Sequence, residues 1–175
     1  MFSNPIKNVE QCGIQPGMEI ADLGAGSGHY SMAIARALAS TGKVYAIDIN
    51  KDILTRLKNN AVKENLYNIE VVWGDVDNIK GTKLRDYAVD MVFACNIMFQ
   101  IENKSDFIKE IKRILKPGGK AVIIDWADSF GGIGPKKEHV VSKEFTEKSF
   151  EKEGFHLERE LFPGDHHYGL IYKKL

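Results

Sequence analysis

Cysteine is scarce in this sequence: Cys12 and Cys95 are the only two in 175 residues. Neither stands in a CxxC or Cys/His spacing, so no structural zinc is expected, and two distant cysteines make no disulfide framework. An excess of charge of one sign is also missing. Lysine and arginine number 24, aspartate and glutamate 24, and the formal net charge is zero. That removes the electrostatic drive toward nucleic acid or an anionic membrane surface. No apolar run approaches the length of about 18 residues that reads as a membrane span. The opening stretch, MFSNPIKNVE, lacks the apolar core of a signal peptide. Internal repeats, low-complexity tracts and linkers are absent too. These absences together lead us to expect a reduced, cytoplasmic chain. What is present is 43% hydrophobic residues, enough for one sizeable core, and the length suits a single domain over residues 1–175.

Short apolar runs alternate with amphipathic ones. Strands are expected at 18–23, 43–49, 68–75, 89–96 and 120–126, with helices at 29–40, 51–65, 104–119 and about 142–153. The third helix in that order is the clearest: Ser105 is its expected cap, Phe107, Ile108, Ile111, Ile114 and Leu115 form its stripe, and Pro117-Gly118-Gly119 stops it. Residues 76–88 are polar and weakly patterned, which suggests a loop with a short helix. A Gly/Pro-rich loop follows at 129–137. The segments 155–162 and 168–174 read as a closing strand pair around PGDHH. Strands alternating with helices imply an α/β fold, a mostly parallel sheet covered on both faces. The last connection is too short for a parallel crossover, so one of the final two strands runs antiparallel.

The segment EIADLGAGSGHYS, residues 19–31, places glycines at 24, 26 and 28 between the first strand and its helix, with Asp22 just ahead. Gly24 and Gly26 free the backbone to turn sharply and approach a ligand. A dinucleotide loop reads G-x-G-x-x-G and brings a pyrophosphate to the helix start. This loop reads G-x-G-x-G, and a carboxylate two residues ahead is awkward beside a pyrophosphate. It suits an ammonium group. The zwitterionic methionine end of S-adenosylmethionine fits that chemistry, its ammonium toward Asp22 and its carboxylate toward backbone N–H groups.

On these residues the chain resembles the class I S-adenosylmethionine-dependent methyltransferases. ADLGAGSG is similar to the first motif of that family, and the likeness runs on through LKPGGKAVIID to the closing strand pair. The nearest flavour is the ubiquinone/menaquinone-type small-molecule branch. The resemblance implies a Rossmann-like seven-stranded sheet of order 3-2-1-4-5-7-6, strand seven antiparallel. It also implies a cofactor set: Asp22, Gly24, Ala25 and Gly26 around the methionine end, and Asp48, twenty residues beyond Gly28, on the ribose hydroxyls. Ile49 then packs on adenine, Asp75 and Val76 meet the adenine amino group and edge, and Asn96 lines the floor. Each acid has a plainer reading beside this one: Asp22 and Asp75 as turn formers, Asp48 as a helix cap.

Methyl transfer from a sulfonium needs alignment more than a catalytic motif, so the lack of one excludes nothing. After the fourth strand the chain reads ACNIMF, without the prolines of base-amino methyltransferases, and it has no Pro-Cys nucleophile. Cys95 ends an apolar strand and reads as core. Around the expected mouth stand Asp125, Trp126, Glu138, His139, Asp165, His166, His167 and Tyr168, with His29 beside the glycines. Of these, His29, Trp126, His139, His166 and His167 are the candidate substrate contacts. A solvated polar rim is the alternative, and no spacing among them is a metal motif. The seven-strand core consumes nearly all the chain, which favours a small acceptor or an open cleft. The expected activity is methyl transfer to a nucleophile on a small molecule. The rivals are a protein or RNA methyltransferase with an open cleft, a nicotinamide oxidoreductase, and a non-catalytic S-adenosylmethionine-binding protein.

Overall fold

The structure is a computed structural model that describes residues 3–175. Met1 and Phe2, the start of the segment examined for a signal peptide, lie outside the described residues. The elements run α1 (Pro5–Glu10), β1 (Glu19–Leu23), α2 (His29–Ala37), β2 (Lys43–Asp48), α3 (Lys51–Lys63), β3 (Ile69–Trp73), β4 (Val89–Cys95), α4 (Lys104–Ile114), β5 (Leu115–Trp126), α5 (Lys143–Lys152), β6 (Phe155–Leu161) and β7 (His167–Lys174), with a 3-10 turn at Lys137–His139. The seven strands form one sheet of order β3-β2-β1-β4-β5-β7-β6. β7 runs antiparallel to both β5 and β6, and the other pairings are parallel. The expected topology is the observed one.

Strand alternation splits the core in two. Ile20, Val44, Phe93 and Val122 face one side, where α1, α2 and α3 supply Val9, Ile34 and Leu57. Ala21, Val92, Ala121 and Ile123 face the other, packed by Phe107 and Ile111 of α4 and Phe150 of α5. Burying both faces of a parallel sheet explains why its strands read as continuous apolar runs. No helix among the described residues is long and apolar enough to cross a membrane.

Several local expectations are corrected. Helix α1 was not foreseen, although Asn4-Pro5 is a start signal: Asn4 Oδ1 accepts the Lys7 amide, and Pro5 occupies the first turn. Helix α2 ends at Ala37 instead of 40, because Ala39 and Ser40 turn to positive φ. The cap of α4 is Asn103, whose side chain accepts the Asp106 amide, and not Ser105, whose hydroxyl donates to Glu153. Helix α4 stops at Ile114, and residues 115–119 belong to β5, pairing Leu115 with Val89 before a bulge. Residues 76–88 hold turns and no helix. The reason is tertiary: the Lys80 and Thr82 amides donate to the buried Glu110 carboxylate of α4, not to preceding carbonyls.

Candidate cofactor site

The carboxyl ends of β1, β2, β3 and β4 open onto a groove in two connected lobes. One lobe, about 550 Å³, is lined by Ser3, Pro5, Asp22, Gly24, Ala25, Gly26, Ser27, His29, Tyr30, Cys95, Asn96 and Gln100. The other, about 510 Å³, is lined by Gly24, Gly26, Asp48, Ile49, Asn50, Ile53, Gly74, Asp75, Val76, Asp77, Ile97, Gln100 and Ile101. Gly24, Gly26 and Gln100 border both lobes, so the glycine loop is the saddle between them. A ligand crevice at the strand ends is where an open α/β sheet offers one.

The loop is held by the end of β2. The Gly24 and Ala25 amides donate to the Ile47 carbonyl, and the Gly26 amide donates to Asp48 Oδ2 at 2.9 Å. Asp48 Oδ1 accepts the Asn50 amide, also at 2.9 Å. Gly24 has φ +72°, and a Cβ there would fall 2.2 Å from Ile97 Cδ1. Gly28 does something else. At φ +85° its missing Cβ makes room for Leu57 of α3, so it packs a helix and lines neither lobe.

Asp22 is buried in the first lobe. Ser31 Oγ donates to its Oδ2 at 2.6 Å, and the Ser31 amide adds a second bond. Burial nevertheless pushes the carboxyl up to about 6, with Asp48 adding a smaller push in the same direction. No cation among the described residues pairs with Asp22. Nearby, Asn96 holds a left-handed backbone, φ +56°, and its backbone N–H donates to the Ile124 carbonyl at 2.8 Å. Its side-chain oxygen is buried and has no hydrogen-bond partner. Helix α2 starts without a side-chain cap. The first lobe thus combines a carboxylate and an amide oxygen, with no cation among the described residues to pair them, with a helix start that has no side-chain cap. That donor set suits a group carrying both charges.

The second lobe is apolar on its walls and acidic at its edge. Ile49 is 64% exposed, an apolar shelf open to ligand. Asp75 borders the lobe while holding its own turn: Oδ1 accepts the Asp77 amide and Oδ2 accepts Asn78 Nδ2. Asp77 bridges to the Glu102 and Asn103 amides ahead of α4.

Of the candidate substrate contacts, only His29 lines the groove. Trp126 is buried under the 129–137 loop, where Gly134 leaves no room for a Cβ against the indole. His167 packs on Trp126 with ring centroids 4.3 Å apart. His166 pairs with Asp128 at 2.9 Å and stacks on Phe130. His139 sits exposed on the 3-10 turn. Asp125 is fully buried, accepting the Met98 and Trp126 amides, and burial pushes it up to about 6. Among the described residues, no three His, Cys, Asp or Glu side chains are placed to hold a metal. Burial raises the Cys95 thiol well above its ordinary range, so it offers no thiolate. Sequence reading missed Gln100, Ile97, Ile101 and Asp77. They follow strand ends in loops whose path no local pattern sets.

The sheet order, the glycine loop and the two-lobed groove define a Rossmann-like nucleoside-cofactor protein. The methyltransferase-domain family matches residues 14–166, and the chain belongs to that family of S-adenosylmethionine-dependent methyltransferases. A ubiquinone/menaquinone biosynthesis C-methyltransferase of Hydrogenovibrio crunogenus is 28% identical over 123 residues, covering 68% of this chain and 46% of its own length. A demethylmenaquinone methyltransferase of Staphylococcus aureus is 30% identical over 120 residues, covering 67% and 46%. The chain therefore spans about half the length of these curated relatives. The crystal structure of a SAM-dependent methyltransferase from Aquifex aeolicus superposes with TM-score 0.90 at 28% identity, over 99% of this chain and 91% of the other.

Proposed function

We propose that this protein transfers a methyl group from S-adenosylmethionine to a nucleophile on a small molecule. The observation that carries the reading is the buried Asp22 carboxylate, which faces the first lobe beside the orphaned Asn96 oxygen with no cation among the described residues to neutralise it. An ammonium group supplies the missing charge. In this reading Asp22 and Asn96 hold the methionine ammonium, and the uncapped start of α2 takes its carboxylate. Asp48 keeps lone pairs beyond its bonds to Gly26 and Asn50 for the ribose hydroxyls. Ile49, Ile97, Val76 and the Asp75 turn enclose the adenine.

S-adenosylmethionine brings its own electrophile, a methyl on a sulfonium. The chain's part is to bind, orient and exclude water. Tyr30 helps build that wall: Asn8 Nδ2 donates to its hydroxyl at 2.8 Å, and burial holds the phenol protonated. The small-molecule acceptor is supported by the quinone-biosynthesis names of the relatives and by the balanced charge.

Calorimetry with S-adenosylhomocysteine tests the cofactor site, repeated on Asp22→Ala and Asp48→Ala. Binding by the parent and a loss of about 1–3 kcal/mol in each variant is the expected result. No binding by the parent would sink the assignment. Transfer of labelled methyl to a metabolite panel then separates an enzyme from a mere binder.

A further inference from the structure

Far from the groove, one polar atom stands out. Tyr172 is 1% exposed, and its hydroxyl is buried with no hydrogen-bond partner. A second tyrosine of the same strand shows what is missing. Tyr168 and Tyr172 lie four apart on one face of β7, in the core that α5 covers. The Tyr168 hydroxyl bonds to the Thr146 hydroxyl of α5 at 2.8 Å. One helical turn on, α5 presents Phe150, which stacks on the Tyr172 ring and offers its hydroxyl nothing. A buried hydroxyl in that state is costly unless something else bonds to it.

A cavity of about 330 Å³ lies against this residue. Besides Tyr172 it is lined by Glu147 and Glu151 of α5, by Phe155 and Leu157 of β6, and by Leu175, with exposed His156 at its edge. It sits where β6 begins and β7 ends, at the amino edge of the parallel strands. It shares no residue with the cofactor groove at the carboxyl edge. The Tyr172 hydroxyl points toward the acids: burial first, then the charge of Glu147, with Tyr168, Glu151 and Glu160 behind it, holds the phenol protonated. Glu147 and Glu151 are one turn apart and share a helix face. Lys143 lies 3.9 Å from Glu147 but bonds more closely to Glu160, and Glu151 has no ion pair among the described residues. Negative charge, a bare phenol oxygen and apolar walls therefore meet in one place. No three His, Cys, Asp or Glu side chains among the described residues make it a metal site.

We propose that this cavity binds a small alkylammonium ion. The ammonium donates to Tyr172 Oη and to the carboxylates of Glu147 and Glu151, and the alkyl chain lies on Phe155 and Leu157. An anion is repelled by the two acids, and a neutral alcohol leaves their charge uncompensated. The phenol oxygen sits just beneath the cavity surface, so entry takes a rotamer change at the rim, which Leu175, 81% exposed, is free to make. The inference is independent of the methyltransferase reading, because it uses none of the groove's residues.

The test titrates the full chain at low salt with n-hexylammonium, 1-hexanol and hexanoate, following the Tyr172 and Phe155 ring resonances. The ammonium is expected to shift both rings and to bind about tenfold tighter than the alcohol, the scale of a hydrogen bond to a charged group. Hexanoate should leave the rings unmoved. Glu147→Gln with Glu151→Gln, two changes on the helix surface, should bring the ammonium down to the level of the alcohol. Tyr172→Phe gives a paired signature: it removes an unpartnered hydroxyl, so the ligand-free variant should melt about 2–4 °C higher, while its affinity for the ammonium falls about tenfold. Equal binding of ammonium and alcohol, binding of neither, or unmoved ring resonances would overturn the proposal. A Tyr172→Phe variant that melts lower would do so too, because the hydroxyl would then already have a partner in the free protein.

Discussion

The Asp48 carboxylate at the end of β2 receives the Gly26 amide at 2.9 Å. One acid thus holds the glycine loop in place and borders the second lobe. Removing it should loosen the loop as well as delete a ligand contact. Asp48→Asn keeps one oxygen acceptor and should weaken S-adenosylhomocysteine binding less than Asp48→Ala, which should lose about tenfold or more. Calorimetry on the two variants measures the difference.

The elevated Asp22 carboxyl makes cofactor affinity depend on pH. An ammonium needs the ionised form, and Asp22 takes up its proton near about 6. Affinity for S-adenosylhomocysteine should be flat above pH 7 and fall below 6, reaching about a tenfold loss at pH 5. An affinity unchanged between pH 7 and pH 5 would contradict the role given to Asp22.

The same shift affects folding with the opposite benefit. Asp22 and Asp125 both hold protons in the folded state more tightly than the ordinary aspartate value of 3.8, up to about 6. Between those values the native state binds more protons than the unfolded chain, so stability falls as pH rises through the window and stays reduced above it. Asp22→Asn keeps an acceptor for Ser31 and removes the charging cost. The ligand-free variant should melt about 2–4 °C higher at neutral pH while binding cofactor more weakly. Calorimetric melting of both proteins checks the sign.

Two glycines of one loop should behave differently. Gly24→Ala drives a methyl into Ile97, a wall of the second lobe, and should cost both stability and cofactor affinity. Gly28→Ala meets Leu57 and should destabilise by about 1–3 kcal/mol with little change in affinity per folded molecule. Urea unfolding paired with calorimetry separates the cases.

The 129–137 loop should yield to protease. Gly131 and Gly132 hold positive φ with open space around them, and Phe130 and Ile133 stand exposed. Cleavage is expected there first, slowed when S-adenosylhomocysteine is present. Equal rates with and without it would count against a loop that moves over the groove.

Local pattern carried much of this fold. The alternation of apolar runs with amphipathic stripes set the element order, and the two-residue gap structure of GAGSG with Asp22 pointed to a zwitterionic nucleoside. Period and turn chemistry are properties of neighbours in the chain, so they are readable there. The closing PGD-type turn likewise required an antiparallel ending, because no parallel crossover fits so short a link. Boundaries were less legible. Residues 115–119 looked like a helix stop and became a strand because Val89 offered Leu115 a pairing partner. The turn at 76–88 stayed non-helical because Glu110, some thirty residues on, took its amides.

The amino-acid sequence by itself determined that acids and glycines would stand at the tips of successive strands. It could not say which of them would be spent on the protein. Folding turned Gly28 toward Leu57, tied Asp75 to its own turn, and buried Asp22 beside Ser31 with no cation among the described residues. It also set Trp126 and His167 on the face that holds Cys95. Those outcomes depend on which residues, far apart in the chain, share a sheet face and compete for the same hydrogen bonds, and only close packing in three dimensions decides that.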